Sequence, residues 1–207
     1  MSYFSKSLHQ IKQQIIGYTT LVKQYLDLGW EGYLTTMMFN QLSGNDRQKN
    51  HQMQVSMEGI YASFLTRIIR NPRKSSSAKP ILICCPDRPT RKNKKIKLSE
   101  VITNDGLHYH GVLIVPLQSR LKIPVHQHFS ENHNYYLRDG ILRRIDVRPF
   151  INDDVSTVVD YALKGLKTGR LPDDENLLIL PKTHLEMTAI SWEVIYRLTV
   201  RAAVSHR

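Results

Sequence analysis

An α+β fold, with helices packed on an antiparallel sheet, is what this sequence predicts, and three observations carry the prediction. Short β-prone runs and amphipathic helical stretches follow one another in the order β–α–β–β–(β)–α, which suits a split βαβ arrangement. An Asp105-Gly106 turn signal joins two adjacent β-prone runs as a hairpin. The chain has 207 residues, 41% of them hydrophobic, which is enough for one domain of ordinary size to bury a core.

Taken in order, residues 1–28 carry Leu8, Ile11, Ile15, Ile16, Leu21, Val22, Tyr25 and Leu26. This is a helical pattern interrupted around Gly17, expected as an N-terminal extension laid against the domain or as a dimer contact. A strand follows at about 31–39, closed by Asn40 and the turn-like Ser43-Gly44-Asn45-Asp46. A long helix is expected over 46–70, with Met53, Met57, Ile60, Tyr61, Phe64, Leu65 and Ile68 on one core-facing stripe and Asn71-Pro72 as its stop. The loop 73–79 leads to a buried strand at 80–85. Its adjacent Cys84 and Cys85 face opposite ways, so they are not expected to pair with each other, and a reduced compartment is implied. Arg88-Pro89-Thr90-Arg91-Lys92-Asn93-Lys94-Lys95 forms a basic loop without apolar residues. The segments 96–103 and 107–115 then read as the two arms of the hairpin, and 141–148 as a further strand.

Asn152, Asp153 and Asp154 are N-cap and first-turn acids for a helix on which Val155, Val158, Val159, Ala162 and Leu166 recur at helical spacing, ending near Gly165 or Gly169. An acidic turn, Pro172-Asp173-Asp174-Glu175, precedes a helix expected at about 184–203. The organisation is therefore a domain over 29–170, flanked by helical extensions at 1–28 and 171–207.

Lysine and arginine number 29 against 18 acids, a net charge of +11 that favours a polyanionic partner. Neither an N-terminal apolar signal region nor an apolar run of membrane-spanning length is present, so a soluble, cytoplasmic protein is expected.

Chemistry is concentrated at His108-Tyr109-His110. Two histidines one residue apart on a strand point to one face and can share a metal ion. The third ligand depends on hairpin register. A three-residue turn, Asn104-Asp105-Gly106, puts Glu100 opposite His110 on the same face, whereas a two-residue turn sends Glu100 to the other face; Asp87 is the alternative. A carboxylate beside two imidazoles makes a site for Mg²⁺ or Mn²⁺. His126-Gln127-His128 has the same spacing as the first pair, but Pro124 before it and Ser130-Glu131-Asn132-His133-Asn134 after it suggest a loop with no enforced common face. Tyr135 and Tyr136 beside it offer stacking surfaces for single-stranded DNA. Tyr161 and Lys164 are three apart on the expected helix, placing a phenol beside an ammonium. A phenol has a reference pKa near ~10 and needs cations around it to act as a nucleophile at neutral pH.

An aromatic-Leu-Thr strand at Tyr33-Leu34-Thr35-Thr36, then His108-Tyr109-His110 on a strand, then Tyr161 and Lys164 on a helix resembles the HUH endonuclease superfamily of rolling-circle replication initiators, relaxases and transposases. The likeness spans roughly residues 31 to 170. It implies an active site on the sheet face where the histidine strand meets the tyrosine helix, with Tyr33, Leu34 and Thr35 as support beneath it. It also implies a divalent metal, Mg²⁺ or Mn²⁺, held by His108, His110 and Glu100, since many HUH enzymes take an acidic ligand from just before the histidine pair. Tyr161 would then be the nucleophile, aided by Lys164, in an enzyme of the single-tyrosine type that nicks and joins one DNA strand through a 5′-phosphotyrosine to initiate replication of a plasmid or phage. The partner expected is single-stranded DNA or an origin hairpin, gripped by Arg88, Arg91, Lys92, Lys94, Lys95 and Lys97 of the basic loop and by Lys167 and Arg170. No GxxxxGK[ST] phosphate loop occurs, so unwinding would fall to a host helicase. Two other classes remain open: a non-catalytic basic nucleic-acid-binding protein, and a metal-dependent hydrolase that uses water.

Overall fold

The computed structural model describes residues 7–73, 77–88, 103–137, 139–167 and 177–182. The elements are α1 (Leu8–Asp27), β1 (Glu31–Phe39), α2 (Asp46–Ile68), β2 (Ile81–Asp87), β3 (His108–Val115), α3 (Val125–Glu131), α4 (His133–Tyr136), β4 (Leu142–Phe150), α5 (Val155–Ala162), α6 (Lys164–Lys167) and β5 (Leu178–Leu180), with 3₁₀ turns at Thr103–Gly106 and Asn152–Asp154. The five strands form one sheet in the order β4-β1-β3-β2-β5, every neighbouring pair antiparallel. Because β1 and β2 both run antiparallel to the β3 between them, the β1–α2–β2 crossover is a split βαβ unit, as the sequence predicts.

Both long helices begin where side chains satisfy their unbonded N–H groups. The Ser7 hydroxyl accepts from the Gln10 N–H at 3.3 Å while Gln10 Oε1 accepts from the Ser7 N–H at 2.8 Å, and Asn45 and Gln48 repeat the reciprocal cap at α2 with 3.0 and 2.9 Å. Gly17 does not interrupt α1. A single helical glycine costs only about 1 kcal/mol against alanine, which the burial of Ile15 and Val22 on the domain offsets.

The sheet is covered on both faces. Met53, Met57, Phe64 and Ile68 of α2 pack on the face carrying Met37, Leu82, Cys84, Tyr109 and Leu113. On the other face, Ile15 and Val22 of α1 with Val155, Val159 and Ala162 of α5 cover Ile81, Ile83, Cys85, Val112 and Ile114. A central strand buried on both sides explains why Val112-Leu113-Ile114-Val115 is continuously apolar rather than alternating.

Several expectations are corrected. The hairpin between 96–103 and 107–115 is not the partner arrangement of β3, because Thr36 of β1 and Cys85 of β2 already flank His110 and both edges of β3 are taken along its length. The turn at Asn104-Asp105-Gly106 is real, with all three residues left-handed at φ 54°, 54° and 77°, but it feeds β3 from elsewhere. β2 runs two residues further than expected, through Pro86 to Asp87. The tyrosine helix stops at Ala162, and Leu163 separates it from the short α6. The apolar run Leu178–Leu180 is an edge strand beside β2, where only a helical extension was expected. The helix expected at 184–203 lies outside the described residues.

Gly165 makes the break after Ala162 useful. A Cβ there would stand 2.0 Å from the Pro86 carbonyl oxygen and 3.1 Å from Cys85 Sγ, so only glycine lets α6 lie flush on β2. Gly165→Ala is expected to lower unfolding stability by roughly 1–3 kcal/mol, as overpacking does, measured by denaturant titration.

Candidate metal centre

Strand register assembles the site. His108 and His110 alternate with the buried Tyr109, so both imidazoles emerge on the face shared with Val112 and Ile114. Across β2, Cys85 pairs with His110 and Asp87 with His108; across β1, Thr36 pairs with His110. The Nε2 atoms of His108 and His110 lie 2.9 Å apart, and Asp87 Oδ2 is 3.7 Å from the first and 3.9 Å from the second. One ligand atom from each of the three residues falls within 4.8 Å of the others, so together they can hold a metal ion.

The outer nitrogens fix how these rings present themselves. His108 Nδ1 lies 2.7 Å from the Gly106 carbonyl oxygen, which only accepts, so Nδ1 carries the proton and the neutral ring turns its Nε2 lone pair into the site. His110 Nδ1 lies 3.1 Å from Thr36 Oγ1, a hydroxyl that can donate or accept. His110 Nε2 can therefore give a proton to His108 or, with the tautomer reversed, offer its own lone pair to a cation. The turn that supplies Gly106 is tied down by Asn104, fully buried, whose side chain accepts from the Leu42 N–H and donates to the Asn40 carbonyl, each at 2.8 Å.

Burial, reinforced by His108 and Lys164, pushes the His110 pKa down from 6.5 to about 3. The folded protein keeps His110 neutral between about pH 3 and 6.5, where the unfolded chain takes up a proton. Stability is therefore full above about 6.5 and is lost as pH falls toward 3. Thermal unfolding of the metal-free protein should show this slope, and His110→Gln should flatten it.

Asp87 is the ligand that sequence reasoning ranked second. Its side chain is only 3% exposed, and Oδ2 accepts no hydrogen bond among the described residues, although Lys164 Nζ approaches it at 2.8 Å. Glu100 lies outside the described residues; the residues that flank His110 in the sheet are Thr36 and Cys85. Asp87 was legible only in part, since its side depends on β2 continuing past Pro86 in the parity of Ile81, Ile83 and Cys85.

Tyr161 stands over the pair, its ring centroid 4.6 Å from that of His110, and Lys164 Nζ is 4.4 Å from the Tyr161 ring centroid. The phenol and ammonium meet across the Leu163 break rather than on one continuous helix. Tyr161 is 42% exposed.

His126 and His128 sit on α3, where a separation of two residues sends side chains to different sides of a helix, so this pair does not converge. His128 is buried, with Nε2 2.8 Å from the Tyr136 hydroxyl. Tyr136 is buried too, packed on Phe129, and is no base-stacking surface; Tyr135 is capped by Arg67 at 4.3 Å.

Of the basic residues, Arg88 pairs with Asp46 at 2.6 Å and Lys167 pairs with Asp160. Arg91, Lys92, Lys94, Lys95, Lys97 and Arg170 lie outside the described residues. Arg143, Arg144 and Arg148 are the alternative basic surface in the sequence, and the register puts Arg144 and Arg148, exposed on edge strand β4, on the sheet face of the site. Asp146 between them pairs with Thr36, which pairs with His110.

No protein-family profile matches the chain, and comparison with curated proteins and with solved structures found no significant match. Among the described residues, no helix is long and apolar enough to cross a membrane.

Proposed function

We propose that this protein is a metal-dependent, site-specific single-strand DNA endonuclease and strand transferase of the HUH type, with Tyr161 as its nucleophile. One observation carries the reading: a half-exposed tyrosine from α5, a lysine from α6, two histidines from β3 and an aspartate from β2 converge at one end of the sheet. The split βαβ sheet with the histidine pair on its central strand is the architecture that resemblance implies.

The donor set suits a hard or borderline divalent cation such as Mg²⁺ or Mn²⁺. Two imidazoles and a buried carboxylate oxygen bring ligand atoms within reach of one ion, and Lys164 Nζ at 2.8 Å from that oxygen shows that the carboxylate already draws a cation. His108, His110 and Asp87 would hold the ion, which when bound supplies Lewis-acid polarisation of a phosphate oxygen. The Gly106 carbonyl holds His108 in the tautomer that binding needs, and the Thr36 hydroxyl can serve His110 in either tautomer. Lys164 places a positive charge over the Tyr161 ring, beside the expected path of the phosphate. Tyr161 Oη, losing its proton, would form a bond to phosphorus while the bond from phosphorus to the 3′ oxygen breaks. The leaving oxygen takes up a proton, and the product is a 5′-phosphotyrosine and a free 3′ hydroxyl. The new phosphodiester retains the energy of the old one, so rejoining needs no ATP.

A net charge of +11 and the exposed Arg144 and Arg148 on the same sheet face, two strand spacings or roughly 10 Å from His110, support a nucleic-acid substrate. Incubation with a single-stranded origin library and Mn²⁺, followed by denaturing electrophoresis, tests the proposal. An adduct resistant to SDS is expected. Cleaved DNA without an adduct would point to a hydrolase using water, and salt-sensitive binding without cleavage to a non-catalytic nucleic-acid-binding protein.

A further inference from the structure

Asp87 has two cations competing for it. Its carboxylate is almost wholly buried, and Lys164 Nζ stands 2.8 Å from Oδ2, the same oxygen that is 3.7 and 3.9 Å from the two histidine Nε2 atoms. A buried carboxylate cannot stand alone, since an unpaired buried charge is strongly destabilising, and Lys164 is the ammonium that reaches it here. Yet the contact is an ion pair without a hydrogen bond, because Oδ2 has no hydrogen-bonding partner among the described residues. Lys164 is itself 35% exposed, sits beyond the Leu163 break, and its Nζ stands at the same time 4.4 Å from the Tyr161 ring centroid. It can leave the carboxylate without moving the sheet.

We propose that Lys164 is an internal stand-in for the metal, neutralising Asp87 while the site is empty and released from the carboxylate when a divalent ion binds, so that loading frees from its ion pair an ammonium that already stands beside Tyr161. The inference rests on the metal-binding reading of Asp87, His108 and His110, and concerns how that site is filled. Its physical basis is that a dication at Asp87 takes over the carboxylate's charge and repels an ammonium held a few ångströms away, so binding energy is spent on displacing the lysine. The lysine thus lowers metal affinity while serving the step that follows, and its removal should have opposite effects on the two.

Isothermal titration with Mn²⁺ alone, on the full chain without DNA, tests this. In Lys164→Met the dissociation constant should fall by roughly tenfold relative to wild type, a typical size for coupling between neighbouring sites, while Lys164→Arg, which keeps the charge, should stay near wild type. The melting temperature of metal-free Lys164→Met should be lower than that of wild type, and the rise on adding Mn²⁺ correspondingly larger. Equal or weaker Mn²⁺ binding by Lys164→Met, with wild type binding normally, overturns the exchange and leaves the metal site standing. Failure of wild type to bind at all overturns the metal site itself. A measurement on wild type alone guards against a variant that does not fold. Acylation of Lys164 by an amine-reactive ester, followed by mass spectrometry, should accelerate when Mg²⁺ is added, and an unchanged rate overturns the proposal.

Discussion

Tyr161→Phe is expected to remove the proposed covalent DNA adduct, by at least about 10³-fold, while folding, metal binding and DNA affinity stay near wild type. Only one oxygen is deleted, from a side chain that is 42% exposed and whose ring, which contacts His110 and Lys164, is retained. Loss of a nucleophile is not a graded effect, since nothing else at the site stands in the same relation to the histidine pair. Tyr136 is buried against Phe129, and Tyr135 lies on the opposite layer of the domain, packed against the α2 core. Denaturing electrophoresis of the variant with single-stranded DNA and Mn²⁺ measures the effect, and an adduct persisting at wild-type yield would move the nucleophile elsewhere.

His110→Ala weakens Mn²⁺ binding by more than about 100-fold and abolishes metal-dependent cleavage, and His108→Ala does the same. His128→Ala leaves metal affinity unchanged but destabilises the fold by roughly 2–4 kcal/mol, because it empties buried space beside Phe64 and Phe129 and leaves the Tyr136 hydroxyl without its partner. The dissociation follows from secondary structure. Residues two apart converge on a strand and diverge on a helix, so identical spacing gives a ligand pair in β3 and a core residue with an outlying neighbour in α3. Titration calorimetry and denaturant unfolding on the same three variants separate the two effects, and metal loss in His128→Ala would reverse the assignment.

Much of this was legible from local signals. The bounds of β1 follow from a β-prone run closed by Asn40, and the start of α2 from the turn residues Ser43-Gly44-Asn45-Asp46. The histidine pair needed only the period of a strand, whereas Tyr161 and Lys164, expected on one helix, meet across the break at Leu163. What misled was turn chemistry without partner information. Asp105-Gly106 does turn the chain, but a turn signal does not say which strand the following one will pair with, and here β1 and β2 had claimed both edges of β3. The three-residue edge strand β5 is too short to show a period, and α3 shows how a proline followed by polar residues can open a helix as readily as a loop.

By itself, then, the sequence determined the α+β class, the order of its principal elements and the side-chain pair around which a metal site is built, because each of these depends on contacts within a few residues. Only the tertiary structure decided that Asp87 closes that site, that Thr36 and Gly106 orient its rings, that Gly165 lets Lys164 reach Asp87, and that Arg144 and Arg148 share its face. Apart from the local Gly106–His108 contact, each of those is a cross-strand or helix-on-sheet relation between residues 20 to more than 100 positions apart, fixed by register and close packing rather than by local propensity.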